Sequence, residues 1–331
     1  MENQISRLET AAIFGRSDTA DDLAKKSGRR DFLRGLGLGA AGAAAVGAVG
    51  FGATNALSAE PNIDVAILEF ALNLEYLEAE FYLLAATGQG LAPADIGPNP
   101  GPVTGGQKVS FSSPINQAYA NEIAAEEQKH VQFLRAALQA ATGAPPISRP
   151  TIDFTKSFPG LAMAAGLGAG FTGFANDTQF LLASYVFEDV GVTAYHGAAP
   201  LITNKAYLDK AAGILAVEAY HAGLVRTVLF VNGFASQTEA IANLRATLDG
   251  TAGTTNVDDR GVGTTATPSI VDCSNSLNGS LLGGFPTNNP PGNNAIAYDR
   301  TTRQVLNIVY GAKNATSGLF FPKGLNGAIT S

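Results

Sequence analysis

Tryptophan is absent from this 331-residue chain, cysteine occurs once and methionine twice, and each shortage closes off a class of chemistry. A lone Cys273 forbids an internal disulfide, so it reads as a small buried apolar side chain, and an oxidising compartment would have to be met by packing. Met1 and Met163 cannot build a thioether site for a soft metal. Charge is scarce as well. Only 15% of residues are charged, the 21 Lys and Arg form no basic stripe and the net charge is -7, which excludes a nucleic-acid partner.

A Leu-rich membrane run is also missing from the N-terminal region. The stretch from Leu36 to Leu57 carries no charge but is mostly Gly and Ala, which suits an export signal better than a permanent anchor. It follows Ser27-Gly28-Arg29-Arg30-Asp31-Phe32-Leu33-Arg34, and the Arg29-Arg30 pair ahead of Phe-Leu resembles a twin-arginine signal. A small-residue cleavage site is available at Ala56-Leu57-Ser58-Ala59. Residues 1–59 are therefore assigned to the signal. The twin-arginine machinery is the expected export partner, the mature protein is expected to be periplasmic or otherwise exported, and membrane contact is expected only through this segment.

Glycine and proline, by contrast, are plentiful: 38 and 16 residues, implying helices set in long loops. Apolar residues at helical spacing predict helices from Asn62 to Thr87, Ser113-Pro114 to Thr142, Asp177 to Ala198 and Lys205 to Asn232, with Gly88, Gly143, Pro200 and Gly233 at or just beyond their ends. This is an all-α class, a four-helix bundle over residues 62–235. Between the second and third helices, the Gly-rich apolar stretch from Phe158 to Phe174 either covers the bundle or forms a short helix. The remainder, 236–331, is a loop-rich extension with one further helix expected at Arg300 to Tyr310. Its apolar Val305-Leu306, Ile308-Val309 and Leu319-Phe320-Phe321 imply that it packs back on the bundle.

Histidine occurs three times, and two of the three have a glutamate three residues earlier: Glu127 with His130, Glu218 with His221. That spacing puts both side chains on one face of a helix, aimed at a common ion. A metal pair in a bundle needs a further carboxylate from each of the other two helices. Here Glu75 is followed by Tyr82, and Glu188 by Tyr195, each seven residues on, two turns along nearly the same line. The chain thus repeats Glu-x6-Tyr, then Glu-x-x-His. The two halves would bring four carboxylates and two imidazoles together, a donor set suited to iron or manganese. Glu78, one turn past Glu75, is the rival donor on its helix, though Tyr82 at seven residues favours Glu75. Glu122 and Glu126 read as solvated surface, and His196 lies off the line of Glu188.

Leu72-Asn73-Leu74-Glu75 with Tyr82, and Glu126-Glu127-Gln128-Lys129-His130, resemble the first two metal-binding helices of ferritins and rubrerythrin-like proteins. Phe187 to Tyr195, Ala211 to His221 and Gln304 to Tyr310 resemble the desiccation-related ferritin-like proteins, so the likeness runs from about Asp64 to Gly327. It implies a ferritin-like four-helix bundle holding two Fe or two Mn ions on Glu75, Glu127, His130, Glu188, Glu218 and His221. Tyr82, Tyr195 and Glu78 are expected around those ligands. It further implies redox chemistry on O2 or peroxide (ferroxidase, peroxidase or catalase-like) and an association with desiccation or oxidative stress. The alternative is a non-enzymatic protectant or cell-envelope protein that keeps the bundle. The long extension would cover surface that cage-forming ferritins need, so a monomer or small homo-oligomer is expected.

Overall fold

The computed structural model describes residues 62–168, 170–252, 259–263 and 297–331; Arg29, Arg30 and Cys273 lie outside them. Four long helices make the frame: α1 (Ile63–Thr87), α2 (Pro114–Thr142), then, after the short α3 (Phe154–Ala164), α4 (Asp177–Ala198) and α5 (Lys205–Val231). Their starts are set by side chains that satisfy otherwise orphaned amides. Asn62 accepts from Asp64 N, Ser113 from Asn116 N with Pro114 in the first turn, Asn176 from Gln179 N and Asn204 from Ala206 N. Gly88 and Gly143 end α1 and α2 in the left-handed conformation, at φ 83° and 68°, where a side chain would be strained.

Helices pair in sequence order, α1 against α2 and α4 against α5, and α1 also meets α4 across the bundle. Two parallel two-residue strands, β1 (Val103–Thr104) and β2 (Ile152–Asp153), tie the loop after α1 to the loop after α2. On α1, Phe81 centres a buried aromatic cluster with Phe154 and Phe158 of α3, Phe174, and Phe180 and Phe187 of α4. The stretch expected to cover the bundle or form a short helix therefore holds most of α3, anchored by aromatic contacts.

α5 is long and apolar enough to cross a membrane by length and composition, with a mean hydropathy of 1.5 over its most apolar window. It nonetheless carries Glu218 and His221 fully buried toward the bundle interior.

Among the described residues two helices lie beyond residue 234, where one was expected. The second of them, α7 (Thr302–Tyr310), starts on a capping box made by Thr301 and Gln304. The other, α6 (Ala235–Asp249), corrects the sequence reading. Its buried residues, Thr238, Ile241, Ala242, Arg245, Ala246 and Asp249, do recur at helical spacing, but two of them are charged and hide the stripe. Those charges belong to a buried network. Arg245 donates to Asp189 of α4 at 2.8 Å and twice to Asp259 at 2.7 Å; Arg226 of α5 reaches Asp189 at 2.7 Å. Arg300 donates to Asp249, Asp259 and Thr193 at 2.9, 2.6 and 3.0 Å. Downstream, Phe320 packs edge-to-face against Phe158 and Phe187, and the side-chain amide of Asn73 donates to the Asn326 carbonyl at 2.8 Å.

Candidate metal centre

Three-residue spacing puts Glu127 and His130 on the inner face of α2, and Glu218 and His221 on the inner face of α5. Opposite them, α1 presents Glu75 and Glu78 and α4 presents Glu188. Glu127, Glu188, Glu218 and His221 are completely inaccessible, and Glu75, Glu78 and His130 are buried with them. The six residues expected as ligands thus converge, and Glu78 joins them.

Glu127 spans the two halves. Its Oε2 lies 3.3 Å from His130 Nδ1 and its Oε1 lies 3.0 Å from His221 Nδ1, the latter without the alignment of a hydrogen bond. His130 Nδ1 is also 3.2 Å from Glu75 Oε2 and 3.6 Å from Glu218 Oε1, while His221 Nδ1 is 3.4 Å from Glu188 Oε2. Among the described residues three groups of donor atoms lie within 4.8 Å of one another, close enough to share a cation: Glu75, Glu127, His130 and Glu218; Glu127, Glu188 and His221; and Glu78, Glu188 and Glu218.

The tyrosines explain the seven-residue spacing. Tyr82 of α1 donates its hydroxyl to Glu188 of α4, and Tyr195 of α4 donates to Glu75 of α1. Each repeat therefore orients the carboxylate of the other, a reciprocity that a pseudo-two-fold bundle allows and a single helix does not. Glu126 corrects the sequence reading that it is solvated surface: its Oε2 lies 2.7 Å from His221 Nε2. A histidine that offers one nitrogen to a metal commonly donates the other N–H to a carboxylate, and this requirement, applied to α2, would have singled out Glu126. Glu122 stays on the surface, where it accepts from Tyr220 at 2.7 Å. His196 stands apart, its Nδ1 3.2 Å from the Tyr298 carbonyl.

Electrostatics mark the cluster as overloaded with negative charge. Burial and then the neighbouring carboxylates hold the Glu78 and Glu218 carboxyls well above the ordinary range; burial raises Glu75 to about 7 against the pull of His130. Burial would lower both imidazoles, but carboxylates raise them to about 11 for His130, chiefly through Glu75, and about 12 for His221, chiefly through Glu188. Burial likewise raises Glu127, yet the two histidines outweigh it and hold this carboxyl far below the carboxylate range. Burial and adjacent carboxylates keep the phenols of Tyr82 and Tyr195 protonated. Protons compensate the excess here, and a cation would displace them.

Even so, Glu127 Oε1, Glu188 Oε2, both oxygens of Glu218 and His221 Nδ1 are buried without a hydrogen-bond partner. Leaving such atoms unpaired costs several kcal/mol in principle, about 1–3 each, which a bound cation would offset. The donor set of mixed oxygen and nitrogen fits a pair of first-row divalent ions.

Comparison with known proteins agrees with the architecture. The ferritin-like domain family matches residues 63–231, the span of α1 to α5. The desiccation-related protein PCC13-62 of Craterostigma plantagineum is 32% identical over 285 residues, 82% of this chain and 85% of its own length. The ferritin-like catalase Nec2 of Nesocodon mauritianus is 30% identical over 284 residues, 80% of this chain and 84% of its own. No solved structure matches the chain.

Proposed function

The chain belongs to the ferritin-like domain family, and from that premise we propose that it is a di-metal carboxylate protein that disproportionates peroxide. The observation that carries the proposal is the set of buried donors without hydrogen-bond partners on Glu127, Glu188, Glu218 and His221. Glu75, Glu127, His130 and Glu218 would hold one ion and Glu127, Glu188 and His221 the other, so that Glu127 reaches both. Two iron or manganese ions would supply the two-electron couple for 2 H2O2 → 2 H2O + O2, in which one peroxide is reduced and the other oxidised, so no outside electron donor is needed.

The chain's own groups support that chemistry in three ways. Tyr82 and Tyr195 fix Glu188 and Glu75 and keep a proton on each phenol oxygen within the site. Glu126, one-third exposed, accepts from His221 and so links the buried site to solvent for proton exchange. The apolar packing around the cluster excludes bulk water and strengthens each interaction inside it. A relative carrying catalase in its name favours peroxide over the alternatives of ferroxidase or peroxidase action. With Arg29 and Arg30 read as a twin-arginine signal, the proposal extends to a protein exported to the periplasm that protects against oxidative stress.

A second reading, a protectant that keeps the bundle without turnover, is favoured by the relative named for desiccation. Protein purified from its native compartment separates the two. The catalase-like reading expects on the order of two iron or manganese ions per chain and oxygen release from peroxide at an electrode. Fewer than about one ion per two chains with no oxygen release would sink it and leave the protectant.

A further inference from the structure

The two repeats agree at Glu75 and Glu188, Tyr82 and Tyr195, Glu127 and Glu218, and His130 and His221, but three residues past the first glutamate they part: α1 has Glu78 and α4 has Gly191. We propose that Glu78, Glu188 and Glu218 hold a third cation, a hard divalent ion such as Mn2+, in the space that Gly191 leaves open. This inference rests on the di-metal reading above.

One oxygen from each of the three carboxylates falls within 4.8 Å of the other two. A cluster of acids alone would mean little, but Glu218 supplies the independent sign. It is completely buried and neither of its oxygens has a hydrogen-bond partner. The two oxygens also face different neighbours. Oε1 lies 3.6 Å from His130 Nδ1, on the side of the pair. Oε2 occupies the position of a missing side chain, 2.2 Å from where a Cβ on residue 191 would stand, and Glu78 Oε1 is 3.6 Å from the same point. Any side chain at 191 would fill the spot on which these oxygens converge.

Charge and donor type select the ligand. Five buried carboxylates surround the centre, and two divalent ions with neutral imidazoles would leave one negative charge over; a third divalent ion would turn that into one positive charge, which the Glu126 carboxylate on His221 Nε2 offsets. The other two donor groups each include a histidine, whereas this one is oxygen only, which suits Mn2+, Mg2+ or Ca2+ and disfavours metals that seek nitrogen. A cavity of about 10 Å³ adjoins Glu78 and Gly191, walled by Leu77, Val190, Val309 and Phe320. Of the three carboxylates only Glu78 lines it, so a water there would reach the ion from the Glu78 side.

The full chain, stripped by a chelator and reloaded with Mn2+ alone, should take up about three ions by elemental analysis and calorimetry, and Glu78→Gln about two. Crystals measured at the manganese edge should lose one anomalous peak in this isosteric variant and keep the others. Gly191→Ala, which adds the missing Cβ, should lose the same ion. Equal binding of about two ions by wild type and E78Q overturns the third site and leaves the pair standing. Equal binding of about three removes Glu78 from the ligands, and loss of more than about one ion in E78Q assigns Glu78 to the pair itself; both outcomes overturn the proposal. Fewer than about two ions in wild type would sink the di-metal reading as well.

Discussion

Glu188 and Asp189 are consecutive on α4, yet they serve two buried clusters of opposite design. Glu188 faces the carboxylates of Glu78, Glu127 and Glu218 and the imidazole of His221. Asp189 faces the guanidinium groups of Arg226 and Arg245, in a network where three arginines meet three aspartates at 2.6–2.9 Å. Asp189 Oδ1 is the one aspartate oxygen of that network buried without a partner, against three carboxylates with such oxygens in the other cluster. One cluster is satisfied by the protein alone but for that single oxygen; the other leaves four carboxylate oxygens and one imidazole nitrogen for a cation to satisfy. Burial raises the cost of an unmatched charge in both, so the difference shows where the fold itself is tied together and where it is held ready for a ligand.

Removing one charge from each cluster should have opposite effects on stability. Arg245→Met leaves Asp189 short of a partner and strips Asp259 of its doubly bonded one, and should cost about 3–5 kcal/mol of stability in denaturant unfolding at neutral pH. A cost below about 1 kcal/mol would mean that the network is not what holds α6 and the segment around Arg300 to α4. Glu218→Gln should act in the opposite sense. In the metal-free protein it removes a carboxyl whose charged form is disfavoured by burial and then by Glu78, Glu127, Glu75 and Glu188, and a gain of about 1–3 kcal/mol is expected together with loss of metal binding. A metal-free variant less stable than wild type would show that the cluster is already balanced.

The same contrast governs what could be read from the amino acids. Helix ends were legible because Asn62, Ser113, Gly88 and Gly143 act locally. The repeated Glu-x6-Tyr and Glu-x-x-His pattern pointed to the carboxylate cluster because its members sit at fixed helical intervals. What escaped was relational. α6 hides its buried stripe behind Arg245 and Asp249, whose partners on other elements include Asp189, 56 residues before Arg245, and Arg300, 51 residues after Asp249. Glu126 looked like surface because its meaning comes from His221 on another helix, 95 residues on. Gly191 could not announce itself, since what matters there is an absent side chain.

Glu126 offers the third test. With Glu126→Gln the bond to His221 Nε2 is weakened while the donors remain, so metal affinity should fall about 10–100-fold by competition with a fluorescent chelator. Unfolding of the metal-free form should move by less than about 1 kcal/mol. An unchanged affinity would remove Glu126 from any role in orienting the imidazole.

A change of pH should make the two clusters diverge in sign. Burial raises Asp259, but Arg245 and Arg300 outweigh it and hold its carboxyl below the ordinary value of 3.8, so the stability it contributes is present above that value and lost only as pH falls through the lower folded one. Glu75 behaves oppositely: burial lifts it from 4.5 to about 7, so the folded metal-free protein binds more protons than the unfolded chain between those values. Stability must then fall as pH rises across that window, by up to about 1.4 kcal/mol per pH unit for one proton. His130 and His221, raised from 6.5 to about 11 and 12, extend the decline, because their contribution is whole below 6.5 and is lost as pH rises toward the folded values. Urea unfolding of the chelator-stripped protein from pH 5 to 8 should therefore show falling stability. Saturating metal should flatten or invert that slope, since the ion replaces the protons and binds better as they leave. A metal-free protein whose stability rises from pH 5 to 8 would show that the carboxylates, not the histidines with their protons, are the groups at peace in the fold, and the two clusters would no longer differ in kind.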